Sequence, residues 1–265
     1  MNRLFIVYFS LIIGQVSYSL PALAQKLPNR QTARVWAPKA IKIDGRADEW
    51  DNGYQAYNRA TELYYTLSND DANLYLISYV TSPDVLFYKV LSGGITFQIK
   101  NKDQEISFRY PAFNKPLPVF GRLQYEEKFP GKDDDPVIVK NNATFTNRAK
   151  EIEVIGINGM ENSISIYNEH GIKVAGSFDA KRGYVYELAI PLKYLGKSSN
   201  INYKIMVMGK NMTPLPTITS IARADGTVST SQDDLNALNQ KVQGLFIARY
   251  APTDVAGEYT LAKKP

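Results

Sequence analysis

Two turns of this 265-residue chain concentrate the oxygen ligands that hard cations prefer. Asp70, Asp71 and Asn73 share one short turn, and Asp133, Asp134 and Asp135 form an uninterrupted acidic run. Because calcium takes several oxygen ligands from flexible loops, each turn is a candidate calcium site. Asp and Asn also favour turns for backbone reasons alone, so the alternative for both clusters is a solvated turn.

A second group of residues has the chemistry needed to hold a sugar. Proteins bind sugars by laying an aromatic ring against an apolar C–H face while polar side chains bond the hydroxyls. The stretch 109–126 combines both kinds of side chain. Its candidate sugar-binding residues are the rings of Tyr110, Phe113, Phe120 and Tyr125 and the polar groups of Arg109, Arg122 and Glu126. The alternative is that these rings pack the stretch onto the rest of the domain.

Tryptophan is the favoured stacking ring, and the chain has only 2 of them. Trp50 follows the tight turn at Asp44 and Gly45, where a buried anchor would fix the path of the chain, so we expect it in the core. Trp36 lies in an early strand-like segment and stays a candidate sugar platform.

Catalysis is not favoured by the pattern of carboxylates. A glycoside hydrolase needs two carboxyl groups facing each other across a cleft, one of them with a raised pKa. Glu187 is the strongest single candidate, but no spacing in the sequence shows a second carboxylate converging on it. We expect Glu187 to be the cross-strand partner of a Lys or Arg, and the chain to be a noncatalytic protein.

The composition excludes several other classes of site. The chain has no Cys and 1 His, which excludes disulfides, cysteine nucleophiles and multi-histidine zinc sites. Its charged residues make up 22% of the sequence and sum to a net charge of +5, a diffuse excess that does not indicate nucleic-acid binding. A hydrophobic content of 44% is enough to build a packed core.

The first 24 residues read as a secretory signal peptide. Arg3 supplies the positive charge, an apolar stretch follows, and Ala22 and Ala24 fit a small-x-small cleavage site before Gln25. The alternative is a retained membrane anchor, but the apolar run is interrupted by polar residues and is short for a span. We therefore expect residues 25–265 to form a single exported domain that is periplasmic, cell-surface associated or extracellular.

Short alternating segments bounded by turn residues dominate the remaining chain, which predicts an all-β domain with two packed sheets. A single helix is expected near the C-terminus, capped by Ser231 and ending at Gly244. The expected strands are residues 34–36, 62–67, 74–80, 95–100, 104–110, 137–140, 152–157, 163–167, 172–177, 184–190, 203–208 and 245–250.

Three ordered motifs resemble the family 9 carbohydrate-binding modules. The first is Ile43-Asp44-Gly45 followed by Trp50, and the second is the strand start Asn73-Leu74-Tyr75 after its acidic turn. The third is a late Tyr-x-x-Glu-x-x-Ile-Pro segment, present as residues 184–191. Each motif is short, but the ordered set spans most of the chain.

The resemblance implies a jelly-roll-like antiparallel β-sandwich that binds a polysaccharide or oligosaccharide in support of carbohydrate catabolism. It implies no required cofactor, although structural calcium is common in similar domains, and it adds Asp84 as a further candidate calcium ligand. The shortage of Trp departs from the binding members of the family. That departure leaves open a structural or partner-binding sandwich without a sugar site.

A haem-binding alternative comes from related extracellular sandwich domains that hold b-type haem between Met and His or Lys. Here His170 would be paired with one of four methionines. These are Met160, Met206, Met208 and Met212. The simpler interpretation is that His170 is an exposed turn residue and that Met206 and Met208 fill the core.

Overall fold

The computed structural model describes residues 26–50, 53–101, 104–113, 136–181, 183–196, 198–209, 217–222, 224 and 226–265. Within these ranges the chain forms short strands and two longer helices, α1 (Pro136–Arg148) and α2 (Gln232–Tyr250). The strands are β1 (Ala56–Asn58), β2 (Leu63–Asn69), β3 (Asn73–Val80), β4 (Ile95–Lys100), β5 (Glu105–Tyr110), β6 (Glu151–Ile155), β7 (Ser163–Ser165), β8 (Lys173–Phe178), β9 (Tyr184–Pro191), β10 (Asn200–Val207), β11 (Ile221–Ala222), β12 (Val228–Ser229) and β13 (Thr253–Thr260). A short helical segment, made of Pro83–Val85, Leu86–Val90 and Leu91–Gly93, links β3 to β4, and a single 3-10 turn (Leu192–Tyr194) follows β9.

Two antiparallel sheets carry the fold. The first has 5 strands in the order β1-β2-β3-β9-β8, and the second has 6 strands in the order β13-β10-β4-β5-β6-β7. A separate two-stranded ribbon pairs β11 with β12. The predicted all-β sandwich is therefore confirmed, as is the helix near the C-terminus.

The main core lies between the two sheets, where every second residue of each strand points inward. From the first sheet it takes large rings such as Tyr65, Tyr184 and Tyr186, and from the second Phe97 and Phe108, all of them fully buried. The hydroxyls of Tyr65 and Tyr203 meet across the core at 3.0 Å. Hydrophobic burial on this scale supplies the stability that a chain without cysteines needs.

A smaller apolar cluster covers part of the outer face of the five-stranded sheet. Tyr75, Ile77, Val185 and Ala189 point outward there and pack beneath Trp50. Both faces of β3 are therefore apolar, as the sequence predicts for a central strand. Trp50 is 7% exposed, which confirms its expected place in the core.

Three of the expected strands are wrong. Residues 137–140 begin helix α1, because Ile138, Asn141 and Phe145 recur at helical spacing and turn one face into the core. Residues 245–250 complete α2, which continues through Gly244 rather than ending there. Residues 34–36 contribute only an isolated parallel bridge from Trp36 to Asn69.

Four strands were not expected, two of which are the two-residue partners β11 and β12. β13 pairs with β10 along its full length, although Asp254 and Gly257 interrupt its apolar pattern. β1 pairs with β2 and is too short to leave a periodic signal. None of the helices in the described ranges combines the length and apolarity that a membrane crossing requires.

Candidate functional site

The Ile-Asp-Gly and Tyr-x-x-Glu motifs meet at one carboxyl group. Glu187 lies on the outer face of β9, and its side chain is fully buried. Its Oε2 accepts hydrogen bonds from the backbone N–H groups of Asp44 at 3.0 Å and Gly45 at 2.8 Å. Its Oε1 accepts one from the indole Nε1–H of Trp50 at 2.9 Å. We call residues 44–50 the strap, because this carboxyl group fastens them to the sheet.

This arrangement corrects the expectation that Glu187 pairs with a Lys or Arg. Among the residues that the structure describes, its partners are three N–H groups and none is a cation. Burial raises the pKa of Glu187 to about 7, and the donors from Trp50, Gly45 and Asp44 oppose part of that rise. The group therefore titrates near neutral pH while holding the strap.

Gly45 is the strap residue that could least be replaced. Its φ of +83° lies in the left-handed region, and a Cβ built there would be 2.9 Å from the backbone of Gly176 and Ser177. The hydroxyl of Ser177 also donates to the carbonyl of Gly45 at 2.6 Å. The strap is thus bonded to both β8 and β9.

A row of tyrosines crosses the outer face of the same sheet beside the strap. Tyr57 on β1 is the register partner of Tyr64 on β2, and Tyr64 is the register partner of Tyr79 on β3. Since neighbouring strands lie about 4.8 Å apart, directly paired side chains on one face form a continuous line. Tyr54, from the segment before β1, packs onto this line. We call these four residues the tyrosine row.

The rings of the tyrosine row touch one another and are all partly exposed. The centroids of Tyr57 and Tyr64 are 4.5 Å apart, and those of Tyr64 and Tyr79 are 6.4 Å apart. Tyr54 stacks nearly parallel to Tyr79 at 5.8 Å, with 6° between the ring planes. The ring planes of Tyr57 and Tyr64 differ by 39° and those of Tyr64 and Tyr79 by 46°, so the four adjacent rings form an uneven aromatic surface.

The tyrosine row leads directly into a polar cleft. Tyr79 pairs with Val185, which pairs with Ser177, so one line of register partners runs from the rings into the cleft. The hydroxyl of Tyr79 donates to Oδ2 of Asp179 at 2.7 Å. Burial, together with the charges of Asp179 and Glu187, raises the pKa of Tyr54 well above its ordinary value, so its phenol stays protonated.

The cleft has a volume of about 530 Å³ and mixes hydrogen-bond donors with acceptors. The strap forms one wall with five consecutive residues, and α1 and the β8–β9 connection form the others. The residues that line the cleft are Asp44, Gly45, Arg46, Ala47, Asp48, Ile138, Asn142, Thr146, Ser177, Phe178, Asp179, Lys181 and Val185. Such a surface suits a ligand with many hydroxyl groups.

The expected sugar-binding residues that the structure describes do not gather at the tyrosine row. Tyr110 is 3% exposed and packs between the sheets against Phe145 and Tyr186, so its ring has no face open to a ligand. Phe113 is partly buried against the same core. Arg109 forms an ion pair with Glu153 on the neighbouring strand.

Trp36 is partly buried and adjoins Asn69 through its isolated bridge. Four other expected sugar-binding residues lie outside the described ranges. These are Phe120, Arg122, Tyr125 and Glu126.

In the first candidate calcium turn, the carboxylate of Asp70 is bonded within the turn and the strand that follows it. Oδ1 of Asp70 accepts the backbone N–H groups of Ala72 and Asn73 at 2.7 Å, and Oδ2 accepts the hydroxyl of Tyr75 at 2.7 Å. Asp71 is exposed. This is the hydrogen bonding of a turn that starts a strand.

Of the remaining calcium candidates, the structure describes only Asp84. Asp84 lies 3.4 Å from Nε of Arg249 in an exposed ion pair. Asp133, Asp134 and Asp135 fall outside the described ranges. Within those ranges no three His, Cys, Asp or Glu side chains come together as a metal site would require.

His170 occupies a turn, as the simpler interpretation holds, but it is partly buried rather than exposed. Its backbone N–H bonds to Oδ1 of Asn168, and its carbonyl accepts the hydroxyl of Tyr194. Met206 and Met208 are partly exposed rather than core residues, because Ile205 and Val207 take the inward positions of β10. Met160 packs at the edge of the main core, and Met212 is outside the described ranges.

Sequence reasoning missed the tyrosine row because its members are far apart in the chain. A usable signal was present, since alternation in β3 puts Tyr75 and Tyr79 on the face opposite Leu74 and Leu76. The register that sets Tyr64 beside Tyr79 depends on strand pairing, which alternation alone does not give.

The sequence matches no model of a protein family and no curated protein.

Proposed function

We propose that this chain is an exported noncatalytic carbohydrate-binding protein, similar to family 9 carbohydrate-binding modules, that holds a polysaccharide or oligosaccharide on the tyrosine row. One observation carries the proposal. Three strands present paired rings in an unbroken line, Tyr57, Tyr64 and Tyr79, and that line ends in a polar cleft. Stacking rings beside hydroxyl-binding groups are the components of a sugar site.

The polar and charged side chains of the cleft suit a ligand with hydroxyl groups. Arg46 and Asp48 form an ion pair at 3.2 Å, and the carboxylate of Asp179 accepts the hydroxyl of Tyr79 together with two backbone N–H groups. Three hydrogen bonds hold the carboxylate of Asp179 in position, whereas Arg46 and Asp48 pair at the exposed surface. Lys181 adds a cation and Thr146 a hydroxyl at the solvent-exposed border. Binding a saccharide here would concentrate it near the protein, which supports carbohydrate catabolism without chemistry by this chain.

Binding to a panel of polysaccharides in affinity gels, followed by calorimetry on the best oligosaccharide, tests this function. We expect Tyr57→Ala and Tyr64→Ala each to weaken binding by about 1–3 kcal/mol, the value of one ring stacked on a planar ligand. Tyr167→Ala is the matched control, because Tyr167 is 74% exposed but lies next to β7 of the other sheet. Thermal melting of each variant verifies that the fold is retained.

Two results would contradict the proposal. One is a folded wild-type protein that is retained by no polysaccharide in the panel. The other is binding that Tyr57→Ala and Tyr64→Ala leave unchanged, because the rings would then not be the platform.

A structural or partner-binding sandwich without a sugar site is the second candidate function. One observation favours it, since Val228, Leu245 and Ile247 expose 64%, 61% and 53% of their surface around α2. Large apolar side chains exposed on β12 and α2 can form a contact with another protein. Sedimentation of the wild type and of Leu245→Asp at rising concentration tests this candidate, which predicts association only in the wild type.

A further inference from the structure

The strap connects the buried carboxyl group of Glu187 to the surface of the cleft. Asp44 and Gly45 bond to Glu187 through their backbone, and residues 44–48 also line the cleft. At the other end of the strap, Trp50 bonds to the same carboxyl group and rests edge-on against Tyr75 at 6.4 Å. Any change in the hydrogen bonding of Glu187 therefore acts on one wall of the proposed saccharide site.

We propose that Glu187 is a positioning residue of this site, and that its protonated form holds the strap in the form that binds saccharide, which makes saccharide affinity depend on pH. The binding half of this inference rests on the proposed function. The attachment of the strap to Glu187 does not, because it is a property of the free protein.

The hydrogen-bond chemistry explains why ionisation matters. A carboxylate is an acceptor only, so its two oxygens can take all three N–H groups at once. When a proton from solvent binds, one oxygen becomes a hydroxyl donor that faces an N–H donor. Hydrogen bonds to a charged group are about twice as strong as those between neutral groups, which favours the ionised form. The strap also removes the carboxyl group from water, and burial raises its pKa by more than the three donors lower it. A bound proton therefore favours the attached strap over a form in which water reaches Glu187.

The surroundings of Glu187 place this change near neutral pH. Its cross-strand neighbours, Ile77 on β3 and Ala175 on β8, do not ionise. The groups that face it are the carboxylate of Asp44 on the strap and the phenol of Tyr54, which also interacts with Asp179 on the β8–β9 connection. Within the described ranges no cation forms an ion pair with it, and burial raises its pKa to about 7.

The indole N–H resonance of Trp50 reports on the attachment directly. In ¹⁵N-labelled protein the chain gives one indole peak for each of its 2 tryptophans, and Trp36→Phe assigns them. We expect the Trp50 peak to titrate with a midpoint near pH 7 and to lose this titration in Glu187→Gln. His170→Asn removes the single imidazole, and it should leave the titration unchanged.

A Trp50 peak that does not move between pH 5.5 and 8.5 would overturn the proposal, whether or not the protein binds saccharide. This measurement uses the wild-type fold and needs no variant to be stable. Because it is made without ligand, its failure is distinct from a failure of the proposed function.

Calorimetry with the oligosaccharide identified in the affinity screen tests the functional half. We expect affinity at pH 6 to exceed that at pH 8 by about fivefold, at the low end of coupling between linked sites. By reciprocity, saturating oligosaccharide should raise the midpoint of the Trp50 titration by about one pH unit. The affinity of Glu187→Gln should not change with pH, and Trp50→Phe, which keeps the ring but lacks the N–H group, should show a smaller pH dependence.

The outcomes separate the two hypotheses. Saccharide binding with the same affinity at pH 6 and pH 8, alongside a titrating Trp50 peak, would refute the positioning role and leave the proposed function standing. A titrating peak without binding to any saccharide would refute the proposed function, and the positioning role of Glu187 with it.

Discussion

At the scale of single residues, the molecule uses one buried acid where the sequence suggests an ordinary cross-strand ion pair. Glu187 satisfies three N–H donors from a segment more than a hundred residues earlier in the chain. Its neighbours on the adjacent strands are Ile77 and Ala175, which leave no position for a paired cation. The buried charge is therefore compensated by hydrogen bonds rather than by an opposite charge.

This environment gives protein stability a definite dependence on pH. The pKa of Glu187 rises from 4.5 to about 7 on folding, so between these pH values the folded protein holds a proton that the unfolded chain releases. The free energy of unfolding should therefore fall by about 3 kcal/mol as the pH rises through this window, and stay level above it. Urea denaturation of the wild type and of Glu187→Gln at pH 5 and pH 8 measures the effect.

The comparison depends on the difference between the two proteins. Other groups titrate in both, so only the part of the pH dependence that Glu187→Gln removes belongs to this residue. Identical pH dependence in the two proteins would mean that Glu187 is ionised throughout the window.

At the scale of elements, close packing of backbone against ring holds the tyrosine row in position. A Cβ added at Gly183 would lie 2.1 to 2.2 Å from ring atoms of Tyr79. Non-bonded carbon atoms do not approach so closely, so any larger residue at position 183 must displace the ring of Tyr79. Tyr79 would then lose its place in the line with Tyr64 and its hydrogen bond to Asp179.

Gly183→Ala should therefore weaken saccharide binding, although residue 183 is buried and would not touch a ligand. We expect a loss of about 1–3 kcal/mol in binding, similar to the removal of one stacked ring. Gly244→Ala is the control, because it lies in α2 with no atom near its Cβ and should slightly stabilise the protein. Equal affinities of the two variants in calorimetry would show that Tyr79 is not needed.

The elements also show what the sequence could and could not predict. β4 begins and ends where alternation places it, because each of its inward residues is apolar. Helix α1 was misread because its β-branched start, Val137, Ile138 and Val139, is typical of a strand, and only Asn141 and Phe145 further on reveal the helical spacing. The candidate site needed the pairing of β1, β2 and β3, which is a tertiary property and leaves no local pattern.

At the scale of the whole molecule, side-chain hydrogen bonds tie the two sheets together near the end of the chain. The hydroxyl of Tyr259, on β13 of one sheet, bonds to Oδ1 of Asn69 on β2 of the other at 3.0 Å. The same Oδ1 accepts the backbone N–H of Ala262 at 2.7 Å, and Nδ2 donates to its carbonyl at 3.1 Å. One buried amide thus closes this edge of the sandwich.

Replacing that amide should lower global stability without touching the tyrosine row. We expect Asn69→Ala to reduce the free energy of unfolding by about 1–3 kcal/mol, because two backbone groups of Ala262 lose their partner and the phenol of Tyr259 keeps only the backbone of Val35. Ser198→Ala is the comparison, since it also removes a polar side chain near β10 but from an exposed position. If the thermal melting temperatures of the two variants agree, the amide does not stabilise the contact between the sheets.

The orientation of the tyrosine row has a mechanical consequence. The rings follow one another across β1, β2 and β3, so a polymer lying along them runs at right angles to the strands. Tension on a tethered polymer would act in the plane of the sheet, along its interstrand hydrogen bonds, and would load β1 first, an edge strand of only 3 residues.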